Sequence, residues 1–124
     1  MANPNIVAVT AIYGTTTYLT PSGTSANTLL SNAASSGLVY KINQIVCANT
    51  TGSAANVTVT INNAAAGGGT AYPVVSAVSV PANASLIAVD KTTAIYLMEN
   101  QSIVVTSGTS SAISYTISYE SIAS

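Results

Sequence analysis

The sequence predicts an all-β fold, an antiparallel β-sandwich or jelly roll of about eight to ten short strands in a single domain. Three observations carry this. Apolar and polar residues alternate with period two in several segments, β-branched residues abound while helical three-to-four spacing is absent, and turn residues recur at short intervals. A chain of 124 residues with 48% hydrophobic content is long enough to enclose one core.

Each element has its own signal. Ile6–Tyr13 is apolar on both faces and reads as a terminal strand that a neighbour covers, so residues 1–13 are candidates for an interface or arm strand of the domain 1–124. Thr15–Leu19 and Thr28–Ser31 are short β-rich runs separated by Pro21-Ser22-Gly23. Leu38–Ala48 places Leu38, Tyr40, Ile42 and Val46 on one face with Gln44 out of place, which predicts a bulge or an exposed end there. In Asn56–Ile61, Val57, Val59 and Ile61 share one face and the polar residues the other. Ala77–Val80, Leu86–Val89, Ile95–Leu97 and Ile103–Thr106 are bounded by Pro81-Ala82-Asn83, Glu99-Asn100 and Ser107-Gly108. Ala112–Tyr119 alternates Ile113, Tyr115 and Ile117 with Ser114, Thr116 and Ser118, so its tyrosines read first as core. The stretch 62–70, with Gly67-Gly68-Gly69, reads as a pliable hairpin tip and lacks the Lys-Ser/Thr of a phosphate loop.

Composition excludes most chemistry. Only 4% of residues are charged, two lysines (Lys41, Lys91) and three acids (Asp90, Glu99, Glu120), and there is no His. Without His, neither a Ser-His-Asp nor a Cys-His arrangement can form, and the chain does not read as an enzyme. A glycosidase carboxylate pair drawn from Asp90 with Glu99 or Glu120 lacks any Trp or Phe platform. Zinc has no ligand cluster, calcium no run of acids on one loop, and no cofactor is expected. Two separated lysines cannot neutralise a run of phosphates, so nucleic acid is not a partner. No apolar run approaches the roughly 20 residues of a membrane helix, no polybasic patch exists, and the N-terminus has no signal-peptide pattern. Synthesis in a cytoplasm follows as the expectation.

The remaining motifs read as structure. Cys47, the only cysteine, lies in an apolar run and reads as a buried free thiol. Asp90-Lys91 reads as a local exposed ion pair worth at most about 1 kcal/mol. Sequons at Asn49, Asn56, Asn83 and Asn100 are expected by chance in so Asn-, Ser- and Thr-rich a chain. All seven aromatics are tyrosines, a residue favoured at interfaces. A near-neutral surface tends to associate, which points to a homo-oligomer. The candidate interface residues are Ile6, Val7, Val9, Ile12, Tyr13, Tyr18 and Tyr72.

Three stretches carry a family resemblance: Met-Ala-Asn-Pro-Asn-Ile-Val-Ala-Val-Thr-Ala-Ile-Tyr-Gly (1–14), the middle stretch 32–49 with its Gly-Leu-Val-Tyr-Lys-Ile-Asn, and the closing segments 80–86, 95–103 and 118–122. In these the chain resembles small β-rich virion proteins of tailed bacteriophages, particularly marine and cyanobacterial ones. It departs from them in loops that carry Ala, Gly and Ser where related chains carry more Asp and Lys. The resemblance implies a capsid decoration or cement protein in the virion, a trimer seated on the major capsid protein or another virion protein. The alternatives are a tail, neck or fibre component, or a carbohydrate-binding β-sandwich module.

Overall fold

The computed structural model describes residues 4–123, so the first three positions of the expected 1–13 arm lie outside the described residues. Nine strands form in chain order: β1 (Ala11–Leu19), β2 (Asn27–Asn32), β3 (Leu38–Asn49), β4 (Ala55–Asn62), β5 (Ala71–Val80), β6 (Ser85–Val89), β7 (Ile95–Leu97), β8 (Gln101–Ser107) and β9 (Ile113–Ala123). One sheet has the order β1-β9-β3-β6, with β7 also on β3, and the other the order β2-β8-β4-β5. Every pairing is antiparallel. With β6 and β7 taken as one broken edge strand, these are the two four-stranded sheets of a jelly roll.

The core lies between the sheets. Ile113, Tyr115 and Ile117 of β9 face Val57 and Val59 of β4 and Ile103 and Val105 of β8, all fully buried. The Tyr115 hydroxyl meets its need for a partner at Ser107 Oγ, 2.9 Å away. Cys47, opposite Tyr115 in the β3–β9 register, is buried as expected.

In β3 the expected bulge occurs, as a register shift between Ile42 and Gln44. Its effect on the face assignment corrects the simple alternation. The extra residue resets the phase, so Ile45 and Cys47 continue the buried face begun by Ile42, and Val46 turns outward opposite Ile87.

Three other expectations change. The separate strands Ile6–Tyr13 and Thr15–Leu19 become one, β1, which runs through Gly14 and starts only at Ala11. β5 begins six residues before the predicted Ala77, at Ala71. Pro73 is tolerated because β5 is an edge strand, and Ala77, at φ 48°, makes a bulge whose N–H donates to Thr58 Oγ1 at 2.9 Å. The stretch 62–70 is not a pliable tip. It folds back as a 3-10 turn (Ala65–Gly67) whose three N–H groups donate to Asn100 Oδ1, Ser31 Oγ and Ser102 Oγ at 2.9–3.1 Å.

Buried asparagines hold the strand ends. Asn32 Nδ2 donates to the Leu38 and Leu97 carbonyls, Asn49 Nδ2 to those of Ser53 and Val80, and Asn62 Nδ2 to those of Gly67 and Gly68. A buried amide without such partners would cost about 1–3 kcal/mol.

Gly69 has φ +69°, and a Cβ there would sit 2.1 Å from Asn63 Oδ1. Gly69→Ala is therefore expected to lower stability by roughly 1–3 kcal/mol in urea denaturation. Gly52→Ala, in open space, should change it by less than about 0.5 kcal/mol.

Burial pushes the Cys47 thiol up to about 12 and the Tyr115 hydroxyl to about 12. Both must stay neutral to remain folded, whereas the unfolded chain ionises them from about pH 9–10 upward. Stability is thus expected to be level below about pH 8.5 and to fall between pH 9 and 12, measured by thermal melts. Cys47→Ala should shift the start of that fall toward the tyrosine range, about one unit higher.

Candidate assembly surface

The N-terminal segment does not extend β1. The Asn5 side chain accepts from Val7 N at 2.9 Å and its carbonyl from Ala8 N at 3.1 Å, closing a turn. Pairing begins where Thr10 N–H reaches the Ala123 carbonyl at 2.8 Å, because the partner strand β9 offers its last rungs there.

This segment lies against the outer face of the first sheet. Directly opposed residues share a face, so Ile12, Ile122 and Val39 form one outward row across β1, β9 and β3. Although they point away from the core, Val39 and Ile122 are only 3% and 6% exposed. Pro4 and Ile6, with Val39, Tyr96 and Met98, line an apolar hollow of about 250 Å³ above the row. The outward Val104 of the second sheet is likewise buried, beside Gly67 of the folded-back turn.

The predicted interface residues divide into three places. Ile6, Val7, Val9, Ile12 and Tyr13 gather at the start of β1, where Val7 is 90% exposed and Val9 half-buried. The predicted two-sided burial of this segment is not supplied by the chain itself. Tyr18, 76% exposed, stands near the other end of β1, about 17 Å from Tyr13 at strand rise. Tyr72 is exposed on β5, the far edge of the opposite sheet, and joins neither group. Sequence reading marked Tyr96 only as a strand-end tyrosine with an interface role and missed Ile87 and Met98; all three are exposed on or just after β6 and β7. Only the knowledge that these are edge strands marks them out.

Among the described residues, both sheet edges at this end of the sandwich are open: β1 pairs with β9 alone, and β2 with β8 alone. A nine-residue edge strand with unpaired N–H and C=O groups is a template for another strand. Charge contributes nothing along β1, which holds no ionisable group other than its tyrosines.

Elsewhere, Asp90 has a different role from the expected ion pair. Its carboxylate caps the 3-10 turn Lys91–Thr93, accepting from Thr92 N at 2.9 Å, and hydrogen bonds from Thr92 hold its pKa below the usual carboxylate range. Asn49, one of the four sequon asparagines, is buried and bonded, which closes it to glycosylation. Among the described residues no three His, Cys, Asp or Glu side chains come together to hold a metal, and no helix is long and apolar enough to cross a membrane.

No family model and no curated protein matches the chain. Solved structures do share its fold. A chain of Bacillus endospore appendages, described as disulfide-linked pili, superposes with a TM-score of 0.52 at 15% identity, covering 92% of this chain and 88% of that one. A chain of the infectious bursal disease virus particle gives 0.52 at 9% identity over 94% of this chain and 32% of its own length. The jelly roll is common to all three. Against the pilus chain one difference is plain: the single cysteine here is Cys47, and it is buried.

Ile6 lines the apolar hollow and Val7 does not. Ile6→Ala should therefore cost about 1 kcal/mol, and Val7→Ala less than about 0.5 kcal/mol, in chemical denaturation of the isolated chain.

Proposed function

We propose that this chain is a non-enzymatic structural subunit that assembles with copies of itself, as a virion protein of the capsid decoration or cement type. The observation that carries the reading is the open β1 edge with Ile12, Tyr13 and Tyr18 exposed along it. Ordering of such a strand against a neighbour supplies main-chain hydrogen bonds, and each tyrosine can bury about 150–250 Å². A stable interface needs about 1,200–2,000 Å² in all, which β1 with the segment from Pro4 to Thr10 is long enough to begin.

On this reading the chain is made in a host cytoplasm, forms a trimer and binds the major capsid protein or another virion protein. Binding that requires the assembled shell then stabilises it by mass action. The jelly roll common to a pilus chain and a virus-particle chain is compatible with both closed and open assemblies. A covalent link like that of the pili would need a cysteine at the surface, so contact here is non-covalent.

A second reading, a tail, neck or fibre component, is favoured by one feature. The exposed apolar residues Ile87 and Tyr72 lie on edges opposite β1, so a head-to-tail contact would leave both ends open.

Sedimentation velocity with negative-stain electron microscopy separates these outcomes. A closed trimer is expected, and Tyr13→Ser with Tyr18→Ser should weaken it by about 10–100-fold. Filaments would establish the second reading, and a chain that stays monomeric at high concentration would refute both.

A further inference from the structure

The outward rows of the first sheet hold a second feature, away from the β1 edge. One row runs Gly14, Glu120, Lys41, Tyr96 across β1, β9, β3 and β7, and the next runs Thr16, Ser118, Gln44. Beside the second row opens a cleft of about 380 Å³ lined by Asn43, Gln44, Asp90, Lys91 and Ser118. This volume falls at the small end of ligand sites, roughly 300–1,000 Å³. Both lysines and two of the three acids of the chain thus lie in or beside one cleft. The remaining acid, Glu99, serves the turn before β3, where it accepts from Gly37 N at 3.0 Å.

Two departures from regular sheet build the cleft. The bulge between Ile42 and Gln44 places Asn43 and Gln44 against the single partner stretch of β9. On the other side of β3, pairing with β6 ends at Ile45 and pairing with β7 begins at Ile42, so Asn43 and Gln44 have no rung there. The chain detours through the capped turn Lys91–Thr93, and this detour forms the far wall. The turn is fixed by Asp90 itself, through bonds to the Thr92 and Thr93 main and side chains. Among the described residues, the amides of Asn43 and Gln44 and the ammonium of Lys91 take no side-chain partner within the chain.

The donor and acceptor set defines the ligand. Two amides both donate and accept, the carboxylate only accepts, the ammonium only donates, and the Ser118 hydroxyl does either. One positive and one negative charge cancel, so neither a phosphate nor a metal cation is favoured over water. Vicinal hydroxyls, each at once donor and acceptor, match this set.

We propose that the cleft formed by the β3 bulge and the Asp90-capped turn is a binding site for a neutral saccharide. It lies on the sheet face and leaves the β1 edge free, so it stands whether or not the assembly reading holds. Hydrogen bonds to hydroxyls in so open a site are exchanged against water, and the affinity expected is weak, about 10⁻⁴–10⁻³ M.

The test uses the full chain on an array of neutral oligosaccharides, followed by NMR titration with the strongest array binder. Amide shifts are expected at Asn43, Gln44, Asp90–Thr93 and Ser118. Asn43→Ala with Gln44→Ala should weaken binding about tenfold, and Lys91→Ala, whose side chain carries no fold contact, should weaken it severalfold with the melting temperature unchanged. The proposal is overturned if no array glycan binds the native chain more tightly than the double variant. It is equally overturned if the shifts fall on β1, or if inorganic phosphate perturbs the cleft and neutral glycans do not.

Discussion

The structure depends on the long β3–β9 ladder. Eleven residues of β3, from Leu38 to Asn49, pair with β9, and every other strand of the first sheet attaches to one of these two. Their inward side chains, Ile42, Ile45, Cys47, Ile113, Tyr115 and Ile117, are fully buried and form one wall of the core. A one-residue slip of this ladder would turn that wall toward solvent, so its register is tightly specified. The bulge in the middle is part of the specification. It keeps Ile45 and Cys47 inward and directs polar residues outward at the same point.

How legible this was from sequence depended on where each strand sits. β4 and β9, central and one-sided, alternate cleanly and were bounded to within a few residues. Gln44, the one polar residue breaking an apolar face, located the bulge. The edge strands were harder because burial no longer enforces alternation: β5 contains Pro73 and a left-handed Ala77, and its first six residues carry no pattern. The apolar run Ile6–Val9 has strand composition, but among the described residues no strand pairs with it, and Asn5 folds it into a turn. The glycines at 67–69 signalled freedom, yet the positive φ angles of Gly67 and Gly69 are used to dock a loop rather than to loosen it. The polar cleft was invisible in one dimension, since Gln44 and Ser118 meet only through the register.

The outer faces show how a chain this poor in charge keeps itself covered. Apolar residues that point away from the core are shielded by segments of irregular backbone, Val39 beside Pro4 and Ile6 and Val104 by the turn at 65–67. At 15% and 9% identity, chains sharing this fold have almost no sequence in common with it, so the strand order survives replacement of nearly every side chain. What a particular sequence adds is the treatment of edges and faces: here an open β1, and a first sheet whose outer rows pass from apolar to charged to hydroxyl-bearing.

The buried asparagines carry one consequence beyond holding strand ends. Asn32, Asn49 and Asn62 tie loops to strands through neutral amide-to-carbonyl bonds, with no ionised group at either end. Dissolved ions screen charges over a Debye length of about 10 Å at 0.1 M and about 3 Å at 1 M, but a buried dipole-to-dipole bond offers them nothing to screen. A domain fastened in this way keeps the same internal ties from fresh water to brine.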